Sequence, residues 1–542
     1  MNEQEFNLID EKWIRVMDSK CNMSELSLKE VILDSHKYKA LSGELPTQDI
    51  AVMRLILAVL HTVYSRVDEN GNDAPLDEDD EDAALERWKA LWDKGQFSEK
   101  AIGEYFDKWR ERFWLFHEER PFGQASGLSV GTEYDAPKLN GEISESSNKK
   151  RFFSMYSGDE KDKLTYPQAA RWVLYLNAYD DTSSKPTKEG KEKAGGSLPS
   201  PGIGWLGKLG TIFLSGYDLF ETLMLNLILV NSDGTVQAEQ NPQWEQDKVS
   251  LAERTEVPQP NDLAALYTLQ SRRILLNREK DKVVSYKLLG GDFFEKENAF
   301  IEPMTVWSTP KNEGDAYTPR RHDSSKQMWR EFSALYEEKG NRCSGVVIWF
   351  RYLKRKKILP SSYMMRTAIT SVVYGDKDFF VKNVFFDSLT MHSELLSDLG
   401  ADWRNTIEQE IEKCSGLANA IGYLAQNLYV ASGGSNSKKD KHYIEIPDNA
   451  KAQLYYRLDI PFREWLRSVD PECEDGKQRF EKQREWQDIA KKIAYNYAGE
   501  LVSETDDPAL VGHMIDKKLY SSANAMNTFN GQVNKIYPKE RR

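Results

Sequence analysis

Between Trp403 and Leu428 the chain reads WRNTIEQEIEKCSGLANAIGYLAQNL. Trp403, Ile407, Ile411, Cys414, Ala418, Ile421, Ala425 and Leu428 recur at steps of three and four residues, which puts them on one face of a helix and most of the charge on the other. An apolar face of that length needs partners. Further helical patterns run from Ala450 to Leu466, Gln478 to Leu501 and Asp516 to Lys535, with polar or Pro- and Gly-containing links between them. Together they predict a C-terminal four-helix bundle, set off by a boundary near Asp387 to Leu399.

Upstream the signals are mixed. Asn7 to Val16 reads as a short strand or turn, and Gln48 to Tyr64 as a helix. Asp68 to Asp82, with Asn70-Gly71-Asn72 and Pro75 among acidic residues, suits an exposed loop, and helical spacing resumes from Ala83 through Trp114. Ser183 to Gly204 holds Pro186, Gly190, Gly195, Gly196, Pro199, Pro201 and Gly202 and cannot continue a helix. The β-branched and aromatic runs Val346 to Phe350 and Ile369 to Tyr374 predict strands. The expected fold class is α+β, with a large mixed α/β N-terminal domain over residues 1–395 and the four-helix bundle over 396–542.

Composition excludes several classes of function. The 40% hydrophobic content, with 14 Trp, 25 Tyr and 22 Phe, argues against general disorder. No apolar stretch reaches the roughly 20 residues of a membrane span, because Arg54 and His61 interrupt Ile50 to Val63. Met1 to Phe6 lacks the basic and apolar parts of a secretory signal, so a cytoplasmic location is expected. Cys21, Cys343, Cys414 and Cys473 are widely spaced and form no Cys-x-x-Cys pair, so reduced thiols and no metal site are expected.

The formal charge of -13 opposes nucleic-acid binding when taken as an average. The charge is unevenly distributed, however. Asp77 to Asp82 concentrates acid, while Lys149-Lys150-Arg151 and the Arg351 to Lys357 stretch concentrate base.

Catalytic patterns are weak. Gly127-Leu128-Ser129-Val130-Gly131 matches a nucleophile elbow without the strand and helix that motif requires. Gly202-Ile203-Gly204-Trp205-Leu206-Gly207 matches a dinucleotide fingerprint but follows a Pro- and Gly-rich segment rather than a strand. The seven histidines are scattered. No catalytic residue and no cofactor are expected. The competing readings are a metal-dependent nuclease or carbohydrate hydrolase built from scattered carboxylates, and an architectural subunit that binds only proteins.

Several longer strings resemble one family in the same order along the chain. Phe6-Asn7-Leu8-Ile9-Asp10-Glu11-Lys12-Trp13-Ile14-Arg15-Val16 resembles the opening of the CasA family, the large subunit of type I-E CRISPR Cascade surveillance complexes. Arg120 to Gln124, Gly202 to Gly207, Gln270 to Arg273, Glu302 to Thr305 and Met328 to Arg330 resemble later blocks. Some members carry a central cysteine cluster that this chain lacks.

The resemblance implies a subunit without catalysis of its own. It would work beside other Cascade subunits and a guide RNA, read a protospacer-adjacent motif on double-stranded target DNA, help part the strands and support recruitment of a helicase-nuclease. It also implies the contact residues. Lys149-Lys150-Arg151-Phe152-Phe153 resembles the family's mobile loop, with either Phe152 or Phe153 as the aromatic contact; a basic turn packed by Phe fits the same residues. Gly195-Gly196 resembles the glycine loop, and Lys287 stands near a motif-contacting lysine. Gly375, Asp376, Lys377 and Asp378 match the position of a wedge hairpin, and Arg351 to Lys357 offers a basic track for a displaced strand; a plain surface hairpin and a solvated basic turn fit equally.

Overall fold

The structure, a computed structural model, describes residues 4–129, 131–140, 161–182, 202–247, 250–251, 254, 256–336, 342–360, 362–472 and 476–538. The chain forms two compact units, one made of Met1–Lys326, Ala334–Leu359 and Arg366–Ser388, the other of Gln327–Ser333, Pro360–Met365 and Leu389–Arg542. The sequence suggested one crossing near residue 395. The chain instead crosses several times, because two short segments from upstream belong with the C-terminal helices.

The first unit is built around the helix Pro46–Tyr64, which is buried on nearly every side and packs against the helices Tyr166–Tyr179 and Leu263–Tyr267. Its polar residues therefore need internal partners. Both Arg54 Nη atoms donate to Glu302, at 3.0 Å each, and Trp205 Nε1 donates to the same carboxylate at 2.7 Å. His61 differs: among the described residues neither ring nitrogen has a partner, Tyr267 meets it edge-on at 5.9 Å, and burial pulls its pKa down to about 3.

The helical spacing from Ala83 to Trp114 resolves into two helices. Asp80 caps Glu81–Lys94, Gly95 ends it in the left-handed region at φ 69°, and Ser98 caps Glu99–Trp109. The acidic run thus does more than form a loop, since its last residues sit in a helix's first turn where negative charge is favoured. Trp114–Phe116 is a strand paired with Glu5–Asn7.

Two three-stranded antiparallel sheets matter for the site. One runs in the order Thr132–Asp135, Lys282–Gly290, Arg272–Glu279. The other runs Val381–His392, Met364–Tyr374, Thr211–Ser215, with Arg366 to Thr370 registered against Ser215 to Thr211. Val346 to Phe350 is not a strand. It belongs to the helix Gly345–Arg355, whose buried Val346, Val347, Trp349, Phe350 and Leu353 follow helical spacing; an apolar run of five residues fits either period.

The second unit is the expected bundle. Ala401–Ala431 packs against Lys441–Arg467, Gly476–Ser503 and Ser522–Ile536. The second helix begins before Ala450 and carries Pro447 and Pro461 inside it. The fourth begins after Asp516, because Asp516 and Lys517 take left-handed φ values of 47° and 66° and turn a short hairpin, His513–Ile515 to Lys518–Tyr520.

Glu410, fully buried, accepts from Gln483 at 2.7 Å, Gln487 at 2.8 Å and Lys413 at 2.8 Å, tying two helices in register. Trp329 stacks on Phe462 at 4.2 Å and donates to Asp459 at 2.8 Å, which explains why the Met328-Trp329-Arg330 string belongs with the bundle. No helix among the described residues is long and apolar enough to cross a membrane.

Ile421 is fully buried on the central bundle helix. Ile421→Asp should therefore destabilise the bundle by several kcal/mol, roughly the cost of an unpaired buried carboxylate, read as a large fall in its melting temperature.

An unfolded histidine takes up a proton near pH 6.5, but His61 resists protonation down to about 3, so its contribution is complete above 6.5 and is lost as pH falls. Asp49, raised to about 7 by burial, acts in the opposite sense. The difference between wild type and His61→Leu isolates the histidine. Relative to wild type, His61→Leu should gain about 2 kcal/mol in urea denaturation between pH 7 and 5.

Candidate nucleic-acid interface

The strands Met364–Tyr374 and Val381–His392 are joined by the tip Gly375 to Asp378, closed by the Gly375 N–H donating to Phe380 O at 2.8 Å. Lys377 and Asp378 both take left-handed φ, 51° and 60°, a region costly for side chains other than glycine. The surroundings hold them there. Thr182 donates its N–H to Asp378 O at 2.9 Å and its Oγ1 to Lys377 O at 2.8 Å. Arg321 grips both Asp378 oxygens at 3.1 and 3.2 Å and lies 5.2 Å over the Tyr374 ring. The Tyr374 hydroxyl donates to Tyr179 O at 2.6 Å.

Gly375 does not supply the turn's unusual conformation, since its φ is -76°. Its role is steric: a Cβ there would stand 2.1 Å from Phe380 Cζ.

Thr182 is the last described residue before 183–201, and Gly202 is the first after it. One buried guanidinium ties both ends: Arg272 pairs with the Asp180 carboxylate and donates to Asp181 O at 2.8 Å and Gly202 O at 2.9 Å. Lys138, just ahead of the undescribed 141–160, pairs with Asp181 at 3.1 Å. Three chain ends, at Asn140, Thr182 and Gly202, are thus tied to one braced tip.

Against this geometry, the family described as CRISPR-associated protein Cse1 matches residues 7–497. The chain belongs to the Cse1 family. CasA/Cse1 of Thermus thermophilus is 28% identical over 353 residues, an alignment covering 64% of this chain and 62% of that relative, so the match spans less than two thirds of the relative's length. The crystal structure of Thermobifida fusca Cse1 superposes with a TM-score of 0.81 at 27% identity, covering 98% of each chain. A chain of a CRISPR RNA-guided surveillance complex, in a pre-nicking state, shares the fold with a TM-score of 0.62 at 16% identity, over 99% of this chain and 100% of that one.

The family strings turn out to be the structural joints. Arg272 clamps the loop roots, Glu302 receives Arg54 and Trp205, and Gln124 bridges Leu115 O at 2.7 Å and Leu276 N at 3.0 Å. Gly204 and Gly207 are packing glycines. A Cβ on the first would meet Ala178 O at 2.3 Å, and on the second the Tyr374 hydroxyl at 2.2 Å, which replaces the dinucleotide reading with close contact.

Of the sequence-derived candidates, Gly375, Asp376, Lys377 and Asp378 form the tip, although Asp378 is engaged by Arg321 rather than projecting. Lys287 is half-buried in strand Lys282–Gly290, registered with Glu133 and Leu275, and among the described residues no hydrogen bond or ion pair ties it to the tip. Lys149, Lys150, Arg151, Phe152, Phe153, Gly195 and Gly196 lie outside the described residues, as does Cys473.

The basic residues from Arg351 to Lys357 lie on and just beyond the C-terminal end of a helix, where positive charge offsets the helix dipole, and Lys356 pairs with Glu81 at 2.7 Å. Sequence reading missed Thr182, Arg321 and Lys208. The Arg320-Arg321-His322 run was the available signal for one of them.

The two ion pairs at the site differ in depth. Arg272→Met should cost about 3–5 kcal/mol by stranding a buried carboxylate. Asp378→Asn, at a pair whose side chains are 37% and 35% exposed, should cost less than about 1 kcal/mol. Equilibrium denaturation of the two variants checks this order.

Proposed function

We propose that this chain is the large, non-catalytic subunit of a type I-E RNA-guided CRISPR surveillance complex, acting in the cytoplasm. In that role the N-terminal region up to about residue 395 reads a protospacer-adjacent motif on duplex DNA and starts strand separation, and the subunit supports recruitment of a helicase-nuclease. Its other partners are the remaining Cascade subunits and the guide RNA.

The carrying observation is the Gly375 to Asp378 tip, held in a strained conformation by Thr182 and Arg321 beside the roots of two further candidate contact loops. A tip fixed before contact loses little freedom on meeting DNA, which suits a wedge. Lys377 is exposed there and fits a phosphate or base. The non-catalytic reading is supported by the commitment of buried carboxylates to cations: Glu302 to Arg54, Asp180 to Arg272, Asp181 to Lys138 and Asp292 to Arg273.

The test is co-purification with the other subunits and guide RNA, followed by binding to targets with and without a candidate flanking motif. Replacing 375–378 with Gly and Ser should preserve assembly yet slow opening of an intact duplex, read by a fluorescent base analogue. A base-pair step is worth roughly 1–2 kcal/mol, so the expected slowing is about tenfold. A pre-opened bubble beside the motif should restore the rate. Motif-independent binding by the whole complex, or normal opening with the replaced tip, overturns the reading.

A further inference from the structure

Lys208 ends the short 3-10 turn Trp205–Lys208, half-buried, with its ammonium 5.7 Å from the centre of the Trp205 ring. Among the described residues no carboxylate pairs with it. Of the described groups that face it, Lys296, Arg272 and Arg321 are cations and Glu297 is an acid.

The turn lies against the hairpin, because Gly207 packs on the Tyr374 hydroxyl with no room for a Cβ. Arg321 lies over the ring of that same tyrosine and pairs with the tip at Asp378. Gly207, next to Lys208, and Arg321 therefore both meet Tyr374 at the foot of the tip, and Lys377 stands exposed at its end.

A half-buried ammonium among like charges has given up hydration without gaining an ion pair, and a bound anion would supply what the fold does not. We infer that Lys208 and Arg321 form a seat for a nucleic-acid phosphodiester at the foot of the Gly375 to Asp378 tip. This rests on the DNA reading above and deepens it: the tip would part the strands while the seat holds the backbone of one of them. Phosphodiester is the chemistry recognised, and target DNA is the source assigned.

Burial and the neighbouring cations hold Lys208 down to about 8. An anion favours the protonated form, so the seat is strongest below that value and weakens as pH rises through it.

The test uses the full-length chain with fluorescent oligo-dT and oligo-rU, by anisotropy across salt concentration and from pH 6.5 to 9.5, with melting curves as a folding control. Lys208→Gln should weaken oligo-dT binding about three- to tenfold at pH 7 and reduce the salt slope by about one phosphate's worth. Lys208→Arg should retain binding at pH 7 and abolish the loss seen above pH 8. Unchanged affinity and slope in Lys208→Gln overturns the seat, as does the absence of oligo-dT binding by wild type. A Lys208 effect confined to oligo-rU overturns the assignment to DNA. In the assembled complex, motif-dependent binding with no Lys208 effect removes the seat alone; a Lys208 effect without motif dependence keeps the seat and removes the motif reading.

Discussion

Arg272 carries a positive charge into a fully buried place, where its donors must be satisfied. They are met by the Asp180 carboxylate and the carbonyl oxygens of Ser271, Asp181 and Gly202. Those acceptors lie on both sides of residues 183–201, so one side chain ties together the described residues that flank that segment. Asp181, held in the same arrangement, fixes Lys138 and the exit of 141–160. Thr182, next in the chain, then reaches the hairpin tip. The hairpin tip and the described residues flanking 183–201 are thus tied together by a buried electrostatic joint.

Much of this architecture was legible in the sequence where periodicity is long. The apolar face from Trp403 to Leu428 could only be a helix, and the β-branched and aromatic run Ile369 to Tyr374 gave its strand. Shorter signals failed for identifiable reasons. Val346 to Phe350 is too brief to separate periods of two and 3.6, and only the continuation through Leu353 decides for a helix. Asp516 and Lys517 carry no glycine to announce a left-handed turn, so the fourth bundle helix seemed to begin early.

Family strings located the joints without revealing what they do. Gln270 to Arg273 and Glu302 to Thr305 become intelligible only when Arg272 meets Asp180, 92 positions away, and Glu302 meets Arg54, 248 positions away. No local pattern reports such a meeting. Thr182 and Lys208 were invisible for the same reason: one acts through a hairpin far along the chain, the other through the company it keeps in space.

The net charge of -13 is an average, and the structure shows how locally that charge is distributed. Acid is spent locally, with Asp80 capping a helix and Glu81 pairing with Lys356. Buried carboxylates such as Asp180 and Glu302 are cancelled by arginines. Among the described residues no carboxylate pairs with Lys208, Lys377 is exposed at the tip, and Arg321 is partly open beside it. Two successive left-handed residues at that tip persist only because Thr182 and Arg321 hold them from outside. Strain maintained by external contacts resists bending in a way that a glycine-rich loop would not, which is the resistance the proposed wedge would need.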